Sequence, residues 1–168
     1  KKVQVEGVDV LQVKTPDDLA KDFTDSLTLC RSGPRAVRWR AAIESLEADP
    51  LFKEANVSHL LDLGEDEWKV AAARLFRRLS SGHAIVMLTI TRLVELVDER
   101  TLVILDEPEG HLHPPLLAAL IRAVADLLGK RNGVGLIATH SPVVLQEVPQ
   151  TCVWKLRRSG LLSEAERP

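Results

Sequence analysis

The sequence has no tyrosine, and its aromatic share is only 4%. That argues against a platform of interleaved rings on which nucleic-acid bases stack. Its two cysteines, Cys30 and Cys152, lie far apart and form no CxxC pair. A disulfide framework or zinc knuckle is therefore not indicated, and a reducing, cytoplasmic setting is expected. No apolar run approaches the ~18–20 residues of a membrane span, so no membrane partner is expected, and no signal-peptide pattern is present. Neither sign of charge dominates: 22 basic against 24 acidic residues leave a formal net charge of -2. Nucleic-acid binding by bulk charge alone has no support from such a balance. An initiator methionine is also missing, since the chain begins Lys1-Lys2-Val3, and the expectation drawn from this is a fragment of a longer protein.

What is present is 168 residues, 45% of them apolar, enough for one sizeable core but not for two full domains. The first dozen residues alternate around Gly7 and read as two short strands, half buried. Pro16-Asp17-Asp18 predicts a helix start with Thr15 as N-cap. Residues 35–48, with Val37, Ala41, Leu46 and Ala48 among Arg and Glu, predict a surface helix closed by Asp49-Pro50. Residues 66–79 predict an amphipathic helix carrying Trp68, Ala72, Leu75, Phe76 and Leu79 on one side. Residues 84–97 are apolar nearly all round, which predicts a helix buried on most of its surface. The continuous run Thr101 to Leu105 suits a strand covered on both faces of a parallel sheet. A helix over Pro114 to Leu128, a buried strand over Val134 to Ala138, a helix start at Ser141-Pro142 and a strand over Thr151 to Leu156 complete a parallel α/β winding. The expected fold class is thus α/β, a parallel sheet with flanking helices, preceded by a helical lobe. The boundaries are a strand pair over 1–15, a helical lobe over 16–80, the α/β part over 81–158 and a tail over 159–168.

Ligands of an open parallel sheet gather beyond the carboxyl ends of its strands, and Asp106 and Glu107 stand there. One carboxylate can hold a magnesium ion, because hard cations take oxygen ligands, while its neighbour can orient a water for attack on a phosphate. The plainer alternative is a pair of acids capping the next helix. Glu107-Pro108-Glu109-Gly110-His111-Leu112-His113-Pro114 adds further polar groups on the same edge. Thr139-His140-Ser141-Pro142 closes the next strand, so His140 and Glu107 are expected on adjacent or nearby strands. Upstream, Ser80, Ser81 and Gly82 open the buried helix, where hydroxyls, free N–H groups and the helix dipole favour an anion. An ordinary serine N-cap is the alternative there.

In this order and spacing the three pieces resemble the C-terminal half of an ABC-type ATPase head, a part of a P-loop NTPase. Leu79-Ser80-Ser81-Gly82-His83 looks like the signature motif, with Ser81 and His83 in place of the commoner Gly and Gln. Leu102 to Glu107 looks like Walker B plus the catalytic glutamate, Glu109 to Pro114 sits where the D-loop sits, and His140 matches the switch histidine. Within that superfamily the chain is similar to the SMC/RecF/OLD-like branch, above all to ATPase subunits of Septu and retron-associated antiphage systems. The resemblance covers roughly residues 75–150, and less specifically 16–70. It implies ATP and Mg2+ as cofactors, with Asp106 supporting the Mg2+, Glu107 polarising the attacking water and His140 contacting the γ-phosphate. Ser80, Ser81 and Gly82 would close on the ATP of a partner protomer in a homodimer, and His111 would lie near the seam. A partner nuclease or other defence subunit, and DNA or RNA, are the further partners implied.

One departure is that no GxxxxGK[ST] occurs in the sequence, so the phosphate-cradling loop and its lysine are not among these residues. Two other readings follow. A metal-dependent hydrolase would use Asp106, Glu107, His111, His113 and His140, since imidazole and carboxylate suit zinc or manganese. A nucleotide-incompetent interaction module would dock through basic helix faces, Arg35, Arg38 and Arg40 on one and Arg74, Arg77 and Arg78 on the other, although such faces are usually just solvated. The ATPase reading predicts a strand followed by GxxxxGK[ST] in the reading frame upstream of Lys1. Sequencing that frame checks it, and a start codon directly before Lys1 would sink it.

Overall fold

The structure, a computed structural model, describes residues 2–5, 8–11, 14–110, 112–159 and 162–167. Strands β1 (Lys2–Val5) and β2 (Val8–Leu11) pair antiparallel, as the alternating N-terminus predicts, while Gly7 between them lies outside the described residues. Helix α1 (Pro16–Cys30) opens on a capping box. Thr15 accepts from the Asp18 N–H, and the Asp18 carboxylate accepts from the Thr15 N–H at 3.0 Å, which satisfies two donors that a helix start leaves free.

Helices α2 (Gly33–Leu46), α3 (Pro50–Ala55), α4 (Trp68–Arg78) and α5 (Ser81–Leu96) follow, with a 3₁₀ turn at Val57–Leu61. The sequence did not predict α3 or the turn. Nor is α2 the surface helix expected of it. Its buried face is Trp39, Ala42, Ile43 and Leu46, a spacing of three, one and three, whereas Val37 is 72% exposed. The indole decides the matter, since turning Trp39 inward buries more apolar area than turning Val37 inward.

Helix α5 lies against α1, α2 and α6 (Pro114–Gly129). Its one buried hydroxyl is fully used: Thr91 Oγ1 donates to the Met87 carbonyl at 2.8 Å and accepts from Trp39 Nε1 at 3.0 Å. Cys30 is also fully buried, its Sγ lies 3.6 Å from the Thr91 carbonyl, and burial pushes its thiol up to about 11. Both cysteines are free, in keeping with the absence of a disulfide pattern. Phe23 of α1 stacks on Phe76 of α4 with ring centroids 5.1 Å apart. A single apolar cluster runs from Ala20 to Leu128, so the helices before residue 80 and the α/β part after it share one core.

Strands β3 (Leu102–Asp106) and β4 (Val134–Ala138) pair in parallel through the α6 crossover, Leu102 opposite Val134 and Asp106 opposite Ala138. Gly133 admits α6 closely, for a Cβ there would stand 2.9 Å from a Leu128 methyl and 3.0 Å from the Thr101 carbonyl. Only one face of the pair is covered among the described residues. Val103 is buried, whereas Leu102, Ile104, Val134 and Leu136 are each about 60% exposed. This corrects the expectation of strands buried on both sides.

The last expected strand is corrected too. Helix α7 (Pro142–Glu147) is followed by a 3₁₀ turn at Gln150–Cys152, and β5 (Lys155–Ser159) pairs antiparallel with β6 (Leu162–Glu166) instead of joining the parallel sheet. Lys155, Arg157 and Arg158 suit a solvated hairpin better than a sheet interior. Residues 162–166, expected as tail, form its second strand. No helix among the described residues is long and apolar enough to cross a membrane.

Truncating Phe23 to alanine removes the stacked ring from a fully buried position, so it is expected to cost about 3–5 kcal/mol. Urea denaturation followed by far-ultraviolet circular dichroism reads this directly.

Candidate active site

The parallel pairing brings two loops to one edge. The Glu107 N–H donates to the Ala138 carbonyl at 2.9 Å, extending the β3–β4 ladder by one residue before the chains diverge. Glu107 itself has φ of 47°, a left-handed conformation that costs a residue with a Cβ roughly 1 kcal/mol or more. The turn closes when the Gly110 N–H donates back to the Glu107 carbonyl at 3.1 Å.

Glu109 then clamps the two loops together. Its Oε1 accepts from the Thr139 hydroxyl at 2.6 Å and from the His140 N–H at 2.9 Å, while Thr139 Oγ1 accepts from the Ser141 N–H at 3.0 Å. Burial by itself would raise the Glu109 carboxyl. The hydrogen bonds from Thr139 and from the backbone N–H groups of Glu109 and His140, with the nearby Glu107 side chain, outweigh it and hold the group down at about 2. Its second oxygen, Oε2, is buried without a hydrogen-bond partner. The imidazole of His140 is 80% exposed, with Nδ1 2.5 Å from Glu107 Oε2 and 3.2 Å from Glu109 Oε1. The expected neighbours Glu107 and His140 are thus in contact.

Ser80, Ser81 and Gly82 form a separate group. Ser80 is the N-cap of α5, accepting from the His83 N–H at 3.4 Å, Ser81 is exposed, and Gly82 is buried in the first turn. No hydrogen bond or ion pair joins this group to Glu107 or His140 among the described residues. His111 lies outside the described residues. His113 is the N-cap of α6. The basic faces are partly neutralised, Arg40 by Asp62 at 2.7 Å and Arg77 by Asp17 at 2.9 Å.

A family described as "AAA domain, putative AbiEii toxin, Type IV TA system" matches residues 13–146 of the chain. The chain belongs to that family. That family is of the P-loop ATPase type, which generally uses ATP and Mg2+, and the helices and small parallel sheet of this chain are compatible with such an α/β fold. Protein ea59 of Escherichia phage lambda is 44% identical over 174 residues, which take in 93% of this chain and 33% of the phage protein. The chain thus spans about a third of that relative's length. No solved structure matches.

The donor set at the edge of an AAA-family sheet fits this chemistry. Glu107 and Glu109 offer carboxylate oxygens of the kind a hard cation takes, and Glu109 Oε2 is buried without a hydrogen-bond partner. Donor atoms of Glu107, Glu109 and His140 lie within 4.8 Å of one another, close enough to share an ion. Asp106 is not in that cluster. It ends the strand on the exposed side with Leu102 and Ile104, because successive side chains alternate faces.

A second set, Asp49, His83 and His113, is equally compact. There His83 Nε2 already faces Asp49 Oδ1 at 3.1 Å and His113 Nδ1 accepts from the Leu116 N–H at 3.4 Å, so it stands as a hydrogen-bonded network. The metal-cluster alternative built on Asp106, Glu107, His111, His113 and His140 finds His113 in this second network and away from Glu107.

Sequence reasoning missed Glu109 and Thr139 as working residues. The signal available was Asp-Glu-Pro-Glu and Ala-Thr-His-Ser, where a second acid and a hydroxyl follow shortly after the ends of the two paired strands. Because the folded carboxyl sits below its ordinary 4.5, Glu109 contributes stability above that value and loses it as pH falls toward about 2. Melting temperatures of wild type and Glu109→Gln, taken between pH 7 and pH 2, are expected to differ most at neutral pH and to converge over that acid window.

Proposed function

We propose that this chain supplies the signature, Walker B and switch-histidine half of an ABC-type ATPase head of the SMC/RecF/OLD-like branch. The complete protein would bind and hydrolyse ATP in a head-to-head dimer, in antiphage defence or DNA transactions. The carrying observation is the contact between Glu107 and His140 at the carboxyl edge of adjacent parallel strands. A carboxylate that can accept a proton from water stands there beside an exposed imidazole that can donate to a phosphate oxygen. In-line attack on a phosphoryl group needs little more from the protein than such positioning and charge complementarity.

The roles divide along the geometry. Glu107 orients and deprotonates the water, and its strained backbone fixes the direction of the carboxylate at the strand end. His140 contacts the γ-phosphate. Glu109 and Thr139 hold the His140 loop against the Glu107 loop and so set the spacing between water and phosphate. Asp106, with its neighbours, would hold Mg2+, which neutralises charge on the phosphates. Ser80, Ser81 and Gly82, at the positive end of the α5 dipole, face the nucleotide of the other protomer, and His111 lies near the seam.

The uncovered sheet face supports the same reading. Parallel sheets are packed on both sides, and the exposed Leu102, Ile104, Val134 and Leu136 are what further strands and a phosphate-loop helix of the complete protein would cover. A nuclease or other defence subunit and DNA or RNA remain the proposed partners.

Glu107→Gln in the complete protein is expected to keep ATP binding and accumulate a dimer, because water activation is lost while phosphate contacts persist. Turnover and size-exclusion chromatography with ATP test this together. Hydrolysis at the parent rate would remove Glu107 from the mechanism.

A further inference from the structure

Ser80 has a partner that capping does not require. Its Oγ lies 2.7 Å from His83 Nδ1, shorter than the 3.4 Å capping bond from the His83 N–H. The ring continues inward, with Nε2 3.1 Å from Asp49 Oδ1, and that oxygen also accepts the Leu51 N–H at 2.9 Å. The side chains of Asp49 and His83 are only 5% and 7% exposed, while Ser80 is at the surface. Serine, histidine and aspartate therefore form a chain from the protein surface to a buried carboxyl group. A helix cap would need none of it.

The groups around His83 are few. Phe52 of α3 lies against the ring with centroids 5.2 Å apart, and His113 at the start of α6 sits at 5.5 Å on tilted planes. His113 Nε2 is 3.9 Å from the other Asp49 oxygen. Among the described residues no lysine or arginine pairs with Asp49. A buried carboxylate is costly unless partnered, and here its side-chain partners are imidazoles.

We infer that Asp49 and His83 are positioning residues for the Ser80 hydroxyl. This rests on the reading of Ser80 as the serine that reaches the partner protomer's nucleotide. A cap serine held by one long bond can swing between rotamers; held also through His83, its oxygen has one place. The Nδ1 contact at 2.7 Å fixes where Ser80 Oγ stands whichever of the two atoms carries the shared proton. Asp49 precedes α3 and His83 begins α5, so the hydroxyl is placed by a segment of the helical lobe some thirty residues away in sequence.

The test uses the complete protein and four variants: Ser80→Ala, Asp49→Ser, His83→Phe and the double Asp49→Ser/Ser80→Ala. Serine at 49 still caps α3 but is too short to reach the ring, and phenylalanine at 83 keeps the packing on Phe52 without a nitrogen. Thermal melts establish that each variant is folded before its ATPase kinetics are measured. Each single variant is expected to lower kcat at least about tenfold, the scale of losing one preorganised donor, with KM for ATP within about twofold. The double variant is expected to be no slower than Ser80→Ala, because residues acting as one unit are not additive. A purely structural role for Asp49 would instead multiply the two losses, and that result overturns the proposal. So does parent kcat in Asp49→Ser and His83→Phe beside a slow Ser80→Ala. If Ser80→Ala itself turns over at the parent rate, the role of the serine in the proposed function fails, and the positioning argument with it.

Discussion

Enclosing α5 is the constraint on which the rest of the molecule depends. A helix that is apolar nearly all round has no stable position at a surface, so it must be wrapped, and α1, α2 and α6 do the wrapping. Its buried Thr91 then needs partners, and Trp39 supplies one across the interface. That contact turns α2 so that its indole points inward and leaves Val37 outside. The same enclosure places the first turn of α5, with Ser80 and His83, against the Asp49 segment and the start of α6.

The sheet edge is organised by a different kind of force. A two-stranded parallel pair with one open face gives little packing to define its loops, and hydrogen bonds take over. Glu109 gathers the Thr139 hydroxyl and the His140 amide on one oxygen, and the low position of its carboxyl reflects how well the charged form is satisfied. A charged, mostly buried acceptor can hold two loops in register where apolar contacts are too few. The left-handed Glu107 is affordable because the ladder bond to Ala138 and the turn bond from Gly110 determine it from both sides.

Much of the fold was legible because each relevant helix carries its own punctuation. Thr15 with Asp18, Ser80 before a buried run and Ser141 before Pro142 are local signals, and local signals survive without knowledge of the partners. The strand Leu102–Asp106 and the strand Val134–Ala138 were legible from continuous apolar runs. The hidden face of α2 was not, because Val37 and Trp39 are equally apolar to a pattern and only competition for core volume separates them. The hairpin after Trp154 was not either, since strand propensity says nothing about which edge a strand will join.

The candidate site divides in the same way. Asp106, Glu107, His140 and the Ser80–Gly82 segment stand at element ends that sequence alone marks, because strand ends and helix caps are encoded within a few residues. The Glu109 clamp and the Asp49–His83–Ser80 chain belong to the tertiary structure. Their partners lie about thirty residues apart along the chain, and hydrogen bonds depend on distances of a few tenths of an ångström. No periodicity records such distances; they are set when α5 is enclosed and β3 meets β4.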